Sequence, residues 1–448
     1  MILFRNATLV EFDPPRIRRG EDVLVDGETI KSVGPGLSEA GVERVIDASG
    51  KLLFPGLVCS HSHYYSAFAR GIMADIGPTP DFVSILKQLW WRVDQALDED
   101  ILFYSGLTAS LDAIRLGTTA VIDHHASPHM IEGSLSTVRR AFETAGLRGA
   151  TCYEVTDRHG EEGMRAGVEE NIAFARRLDE ENASRDDGSP VLVEGMIGGH
   201  APCTLPDEAL KRIADACETT GRGFHVHLAE DRWDVSHSHY YYGRDLIPRL
   251  DDYGLVNEKS LLIHGVFLSS AEVDTLNERG AFLVHNARSN MNNGVGYNAN
   301  LPRVERLALG TDGIGTDMWS ETKTAFFKHQ DEKGPMGPDG FLAALSAGNR
   351  VLERIFGRPF GRLEEGYAAD LVLADYASPT PLEPANIAGH LMFGMGPEIV
   401  ETVMIGGRMV MEDRRFPMEV SPLYAEASEQ AKRLWQRMNE KQGVPNLQ

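Results

Sequence analysis

Histidine and carboxylate side chains recur at the ends of short apolar runs: His61 and His63 in GLVCSHSH, His227 and Glu230 in GFHVHLAE, His264 in SLLIHGV, and Asp312 in LALGTDG. In a strand, His61 and His63 flank Ser62 and point to one side, about 7 Å apart along it, within reach of a single ion. Imidazole nitrogen combined with carboxylate oxygen suits zinc or iron(II) better than calcium or magnesium. An H-x-H in a strand, or one Asp after an apolar run, is common by itself. Their recurrence at successive strand ends points to a metal centre.

The elements needed to bring these residues together are legible in the alternation around them. From Pro55 to about Gly361, eight apolar runs (GLVCSHSH, TTAVIDHH, GATCYEVT, VLVEGMIGG, GFHVHLAE, SLLIHGV, AFLVHNA and LALGTDG) recur, many of them separated by helix-compatible stretches such as PDEALKRIADACETTG. That count predicts an α/β fold of the (β/α)8 TIM type, whose active sites lie at the C-terminal ends of the strands. The first 55 residues and the stretch after residue 361 are instead rich in short β pieces. VLVDGETI and VMIGGRMV read as hairpins with glycine in the turn. The expected organisation is a small β-sandwich domain built from both termini (residues 1–55 and 362–420), a barrel (56–361) inserted into it, and a helical tail (421–448). Tyr424 to Met438 reads as an amphipathic helix, with frayed residues after it.

Composition narrows the partners. A formal charge of −22 repels phosphates, so no nucleic-acid or anionic-membrane partner is expected. No run of 18 apolar residues is present, and the N-terminus reaches acid and proline before a signal-peptide core could form. Four cysteines lie far apart with no C-x-x-C pair, which excludes a disulfide framework or zinc finger. A cytoplasmic protein is expected.

The passages PGLVCSHSH, FARG, HVHLAE, LLIHG, VHNARSN and LGTDG, together with the flanks GYAADLVLAD and VMIGGRMV, resemble the cytosine deaminase/chlorohydrolase branch of the amidohydrolase superfamily over nearly the whole chain. The resemblance implies one divalent metal, zinc or iron(II), held by His61, His63, His227 and Asp312. Glu230 and His264 would then handle protons, His264 also serving as an occasional extra ligand. Relatives with two metals carry a carbamylated lysine on the fourth strand, and no lysine occurs here between Lys87 and Lys211. A mononuclear site follows, unless Glu154 or Glu194 bridges a second ion. Metal binding can lower the pKa of water from about 15.7 to about 7. Asp312 would take the water proton, protonated Glu230 would donate to the ring nitrogen of an amidine, and His264 would steady the oxyanion as ammonia leaves. Cleavage of a cyclic amide or a carbon–chlorine bond at the same centre is the alternative, and an inactive binding subunit the distant one. Family habit also implies a homodimer or larger homo-oligomer acting on a small heterocyclic substrate.

Around this centre, Tyr65 and Arg70 in the first loop, His200 after the fourth strand and Asn290 after the seventh are expected substrate contacts. His225 is read as a packed core histidine, Cys59 as a buried thiol, His124 and His125 as structural or at an interface, and Trp90-Trp91 as helix packing. Asn286 and Ala287 depart from the Cys-Pro pair that relatives often carry. The pentapeptide HSHYY occurs again at His237–Tyr241, where it reads as a loop or short helix near the pocket mouth or a subunit contact.

Overall fold

The computed structural model describes residues 1–185 and 189–440. Its centre is a parallel barrel of Leu57–Ser62, Thr118–His125, Arg148–Val155, a fourth strand in two pieces (Val193–Gly195 and Ile197–Gly199), Phe224–Leu228, Leu261–His264, Phe282–His285 and Leu307–Leu309. All of these residues are buried except the half-buried Glu194. Strands covered on both faces need no polar alternation, which is why they stand out in the sequence as unbroken apolar runs. The barrel closes where the chain leaving the eighth strand meets the first. The amides of Thr311 and Asp312 both donate to the His61 carbonyl, at 2.9 and 3.0 Å. Helices cover the outside; Ser270–Arg279, for example, begins with a capping box between Ser269 and Glu272.

Strands from both ends of the chain form a second, eight-stranded mixed sheet. Its order is Arg408–Met411, Val400–Ile405, Leu371–Ala374, Leu52–Pro55, Ile2–Phe12, Pro15–Asp26 and Thr29–Gly34, with Arg44–Asp47 also paired to Ile2–Phe12. It has its own core, which includes Phe4, Leu9, Val23, Leu53, Leu371 and Met404. Ile405 pairs with Arg408 around Gly406 and Gly407, whose φ angles of +55° and +71° suit a tight hairpin. A Cβ at Gly407 would stand 1.8 Å from the Gly27 carbonyl, so the two hairpin turns, one from each end of the chain, pack directly on each other.

Helix Ser421–Glu440 straps the first barrel loop. Trp435 Nε1 donates to the Phe68 carbonyl at 2.9 Å, Arg437 Nε to that of Ala96 at 2.6 Å, and Tyr424 Oη to Asp112 at 2.9 Å. The expected fraying of the last residues falls outside the described part of the chain. Among the described residues, no helix is long and apolar enough to cross a membrane.

Barrel and small sheet are joined by a buried ion pair. Arg148, fully buried at the start of the third strand, reaches Asp370 with Nε at 2.6 Å and Nη2 at 3.1 Å, while the Gly406 amide donates to the same carboxylate at 2.7 Å. Leaving one buried charge without its partner costs about 3–5 kcal/mol, whereas an apolar pair of similar volume loses far less. Asp370→Ala is therefore expected to lower the urea unfolding midpoint sharply, and Arg148→Met combined with Asp370→Leu to recover most of the loss. Equal midpoints for Asp370→Ala and the unmodified protein would count against this role.

Candidate metal centre and active site

The ends of the first, fifth, sixth and eighth strands bring His61, His63, His227, His264, Glu230 and Asp312 to one place, all buried or nearly so. Metal-binding atoms of His61, His227, His264 and Asp312 lie within 4.8 Å of one another. His63 joins them, its Nε2 lying 3.0 Å from Asp312 Oδ1 and 3.2 Å from His227 Nε2. Close approach of the closing strands is needed for this. A Cβ at Gly310 would stand 2.6 Å from Asn286 Oδ1 and 2.8 Å from the His61 amide, so only glycine fits there. Ala229, His264 and Asp312 all adopt left-handed backbone, with φ of +49°, +73° and +54°. Such conformations are unfavourable for residues other than glycine and concentrate at functional sites.

Hydrogen bonds on the far side of each ring decide which nitrogen lone pairs face inward. His63 Nδ1 donates to the His124 carbonyl at 2.6 Å, His227 Nδ1 to that of His200 at 2.9 Å, and His264 Nδ1 to Asn290 Oδ1 at 2.8 Å. In the neutral rings each Nε2 is then a bare acceptor. The Nε2 atoms of His61 and His264 are buried without a hydrogen-bond partner, and those of His63 and His227 face each other. Acceptors crowded together in this way repel unless positive charge lies among them; against the effect of burial, Asp312 at 3.0 Å pushes the His63 imidazole up to about 9. The donor set therefore fits a divalent ion of the zinc or iron(II) kind.

Proton states are set by the surroundings. Burial pushes the His61 and His227 imidazoles well below their usual range, keeping them neutral and able to ligate. Burial works against ionised Asp312, yet His61 and His63 hold its carboxyl well below the usual carboxylate range. Glu230 goes the other way. Burial, helped by the charge of Asp312, raises it well above the usual range, so it carries a proton. Its Oε1 accepts from Asn293 Nδ2 at 3.3 Å, while Oε2 lies 3.4 Å from His264 Nε2. Ser289 Oγ donates to Asp312 Oδ2.

Above the centre is a cavity of about 80 Å³, lined on its polar side by His63, Glu154, His200, His227, Glu230 and Asp312. Tyr65, Phe82, Leu86, Trp90, Trp91 and Trp233 form its aromatic and apolar walls. Tyr65 and His200 thus stand where substrate contacts were expected. Arg70 and Asn290 do not. Arg70 is largely exposed and pairs with Asp112 at 2.8 Å, lining an adjoining cavity of about 530 Å³ on the other side of His63 and Trp90. Asn290 is buried and spends its carbonyl on His264, which makes it an orienting group.

Other residues have larger parts than their types announced. His225 is buried as expected, but its Nε2 bonds His61 Nδ1 at 2.9 Å and so fixes that ring. Trp90 and Trp91 line the cavity as well as packing their helix; the stripe Phe82, Val83, Leu86 and Trp90 has helical spacing and was the available signal. Ser289, Asn290 and Asn293 likewise share a face of the turn around Ala287–Asn292. Glu194 pairs with Arg222 at 3.0 Å and is absent from the groups that gather at the centre. Cys59 bonds Thr311 Oγ1 at 3.1 Å and is a packed thiol. The second HSHYY lies in helix Arg232–Tyr242, where Tyr240 and Tyr241 are exposed.

The comparisons with known proteins agree with this geometry. The model of the amidohydrolase family matches residues 52–410. A 5'-deoxyadenosine deaminase of Methanosarcina mazei is 28% identical, the match covering 98% of this chain and 99% of the relative. A 5-methylthioadenosine/S-adenosylhomocysteine deaminase of Desulforudis audaxviator is 31% identical over 92% of this chain and 94% of its own length. Among solved structures, an adenosine deaminase from Xanthomonas campestris with bound zinc superposes with a TM-score of 0.82 at 25% identity, covering 97% of this chain and 98% of that one. Matched along most of its length, with ligand-type side chains at the strand ends where such enzymes work, the chain belongs to the amidohydrolase family.

Proposed function

We infer that this chain is a metal-dependent aminohydrolase that releases ammonia from the amidine of a small, purine-like aromatic heterocycle. One observation carries the reading: two carboxyl groups meet at one centre in opposite surroundings, Asp312 beside His63 and held well below the usual carboxylate range, Glu230 buried and pushed well above it, at the end of an aromatic-walled cavity. Paired groups pushed apart in this way assign base and acid. The deaminase names of relatives that span nearly the full chain support the same reaction.

His61, His63, His227 and Asp312 would hold one divalent ion, with His264 within reach. Such an ion makes water acidic enough to act as a nucleophile near neutral pH. Asp312 accepts a proton as the water oxygen adds to the amidine carbon, and Glu230 delivers its proton to the ring nitrogen. The carbon becomes tetrahedral. Asp312 then passes its proton to the amino group while Glu230 takes the one on the new hydroxyl. The carbon–nitrogen bond breaks, ammonia leaves, and a ring lactam remains with both carboxyl groups restored. His264, fixed by Asn290, steadies the oxygen. Expulsion of ammonia needs a delivered proton, whereas chloride leaves without one. A site with two proton carriers therefore favours the amine.

The small cavity suits a planar ring, and Tyr65, Trp90, Trp91 and Trp233 offer faces to stack on it. We also place the enzyme in the cytoplasm as a homo-oligomer. Four free thiols are in keeping with a reducing compartment, and the exposed, adjoining Phe327 and Phe393 offer apolar contact area.

Two measurements test the reaction. A coupled ammonia assay over guanine, isoguanine, cytosine, isocytosine, pterin and adenosine-type nucleosides is expected to show ammonia released together with the matching lactam; a ring-opened acid without ammonia would point to cyclic-amide hydrolysis. Glu230→Gln is expected to lower kcat by about 10²–10⁴-fold with metal content unchanged. Loss of metal in that variant would move Glu230 from proton donor to ligand.

A further inference from the structure

Glu154, at the end of the third strand, lines the cavity but has no part in the proton transfers above. It is buried, and its carboxylate, His200 and His227 bring ligand atoms within 4.8 Å of one another. Arg158, its side chain also buried, donates to Glu154 Oε1 and is stacked over the Trp91 ring at 4.7 Å. A guanidinium bond of this kind keeps the carboxylate ionised and fixed in orientation.

Two ring nitrogens also face this carboxylate. Thr204 Oγ1 gives its hydrogen to the Ala201 carbonyl at 3.1 Å, so the 2.7 Å contact between His200 Nδ1 and Thr204 Oγ1 is donated by the imidazole. With Nδ1 so engaged, His200 turns its Nε2 toward Glu154 Oε1, 4.0 Å away. Similarly, His124 Nε2 donates to the Gly199 carbonyl at 3.1 Å, and its buried Nδ1 lies 3.5 Å from Glu154 Oε2. The carboxylate, bonded by Arg158 at Oε1, thus lines the cavity with acceptor capacity to spare, and a buried acceptor left unpaired is costly. A second metal ion does not resolve the arrangement. His227 has a single inward lone pair, because its Nδ1 is committed to the His200 carbonyl, and that lone pair already faces His63.

We propose that Glu154 and His200 form a recognition edge for N–H donors. The substrate is then a heterocycle that carries, besides its reacting amidine, an unsubstituted ring N–H directed at Glu154, with Arg158 positioning the carboxylate and Trp91 stacked on the ring. This rests on the deaminase reading for the orientation of the ring, while the edge itself selects any N–H-bearing oxo ring. Rings alkylated or glycosylated at the nitrogen facing Glu154 are rejected, because the substituent removes the donor and fills its space.

Calorimetric binding separates this from catalysis. Zinc-loaded protein is titrated with the non-reacting lactams hypoxanthine, uracil and a pterin lactam, and with each singly N-methylated isomer. One parent is expected to bind, and methylation at one ring nitrogen to weaken it by on the order of a hundredfold or more, the scale set by leaving a built hydrogen-bond acceptor unpaired. Glu154→Gln is expected to reduce that ratio to below about tenfold with zinc content unchanged. The methyl series on the unmodified protein stands as a test even if the variant folds poorly. Binding of no parent, equal binding of parents and all methyl isomers, an unchanged ratio in Glu154→Gln, or loss of zinc from that variant would each overturn the proposal. Selective binding without turnover of any aminated ring would sink the deaminase reading and leave this one standing.

Discussion

Inward-facing nitrogen lone pairs beside a buried carboxylate form the constraint around which the molecule is organised. Neutral imidazoles crowded together repel, and an ionised aspartate in a dry interior is unfavourable unless paired. A single cation answers both. What prevents the side chains from turning away is the second set of bonds, from the His124 and His200 carbonyls, Asn290 and His225. Such outer partners fix ring orientation and raise ligand basicity. The barrel supplies the rest: its closing hydrogen bonds at His61 hold the first strand against Asp312.

From that centre the chemistry follows by environment. The same few ångströms contain an aspartate stabilised as an anion by facing histidines and a glutamate kept neutral by burial and by that aspartate. Neither residue type alone says which is acid and which is base. Asn293 and Ser289, on one short helical turn, each hold one of the two carboxyl groups, so the loop after the seventh strand ties the pair together.

Much of this is legible in the sequence, for definite reasons. Barrel strands buried on both faces leave unbroken apolar runs, and the period of two puts His61 and His63 on one side. Residues at the mouths of such strands therefore declare themselves. Loop residues do not. Arg70 follows the metal-binding strand closely, yet Asp112, far along the chain, draws it to the surface. Asn290 lies at the site but serves His264. His225 was legible as a core residue, but its bond to His61 crosses from one strand to another and leaves no local pattern. The helical stripe containing Trp90 announces an amphipathic element; that it walls a cavity depends on where helix Ser421–Glu440 straps the first loop.

The central claim is most directly tested by titrating metal-stripped protein with zinc and iron(II) while following bound metal by elemental analysis. A single tight site is predicted, with about one ion per chain as expected for a closed set of nitrogen and carboxylate ligands, and with affinity collapsing in Asp312→Asn or His227→Ala. Failure of the unmodified protein to retain either ion, or retention that is untouched by both substitutions, would contradict the account.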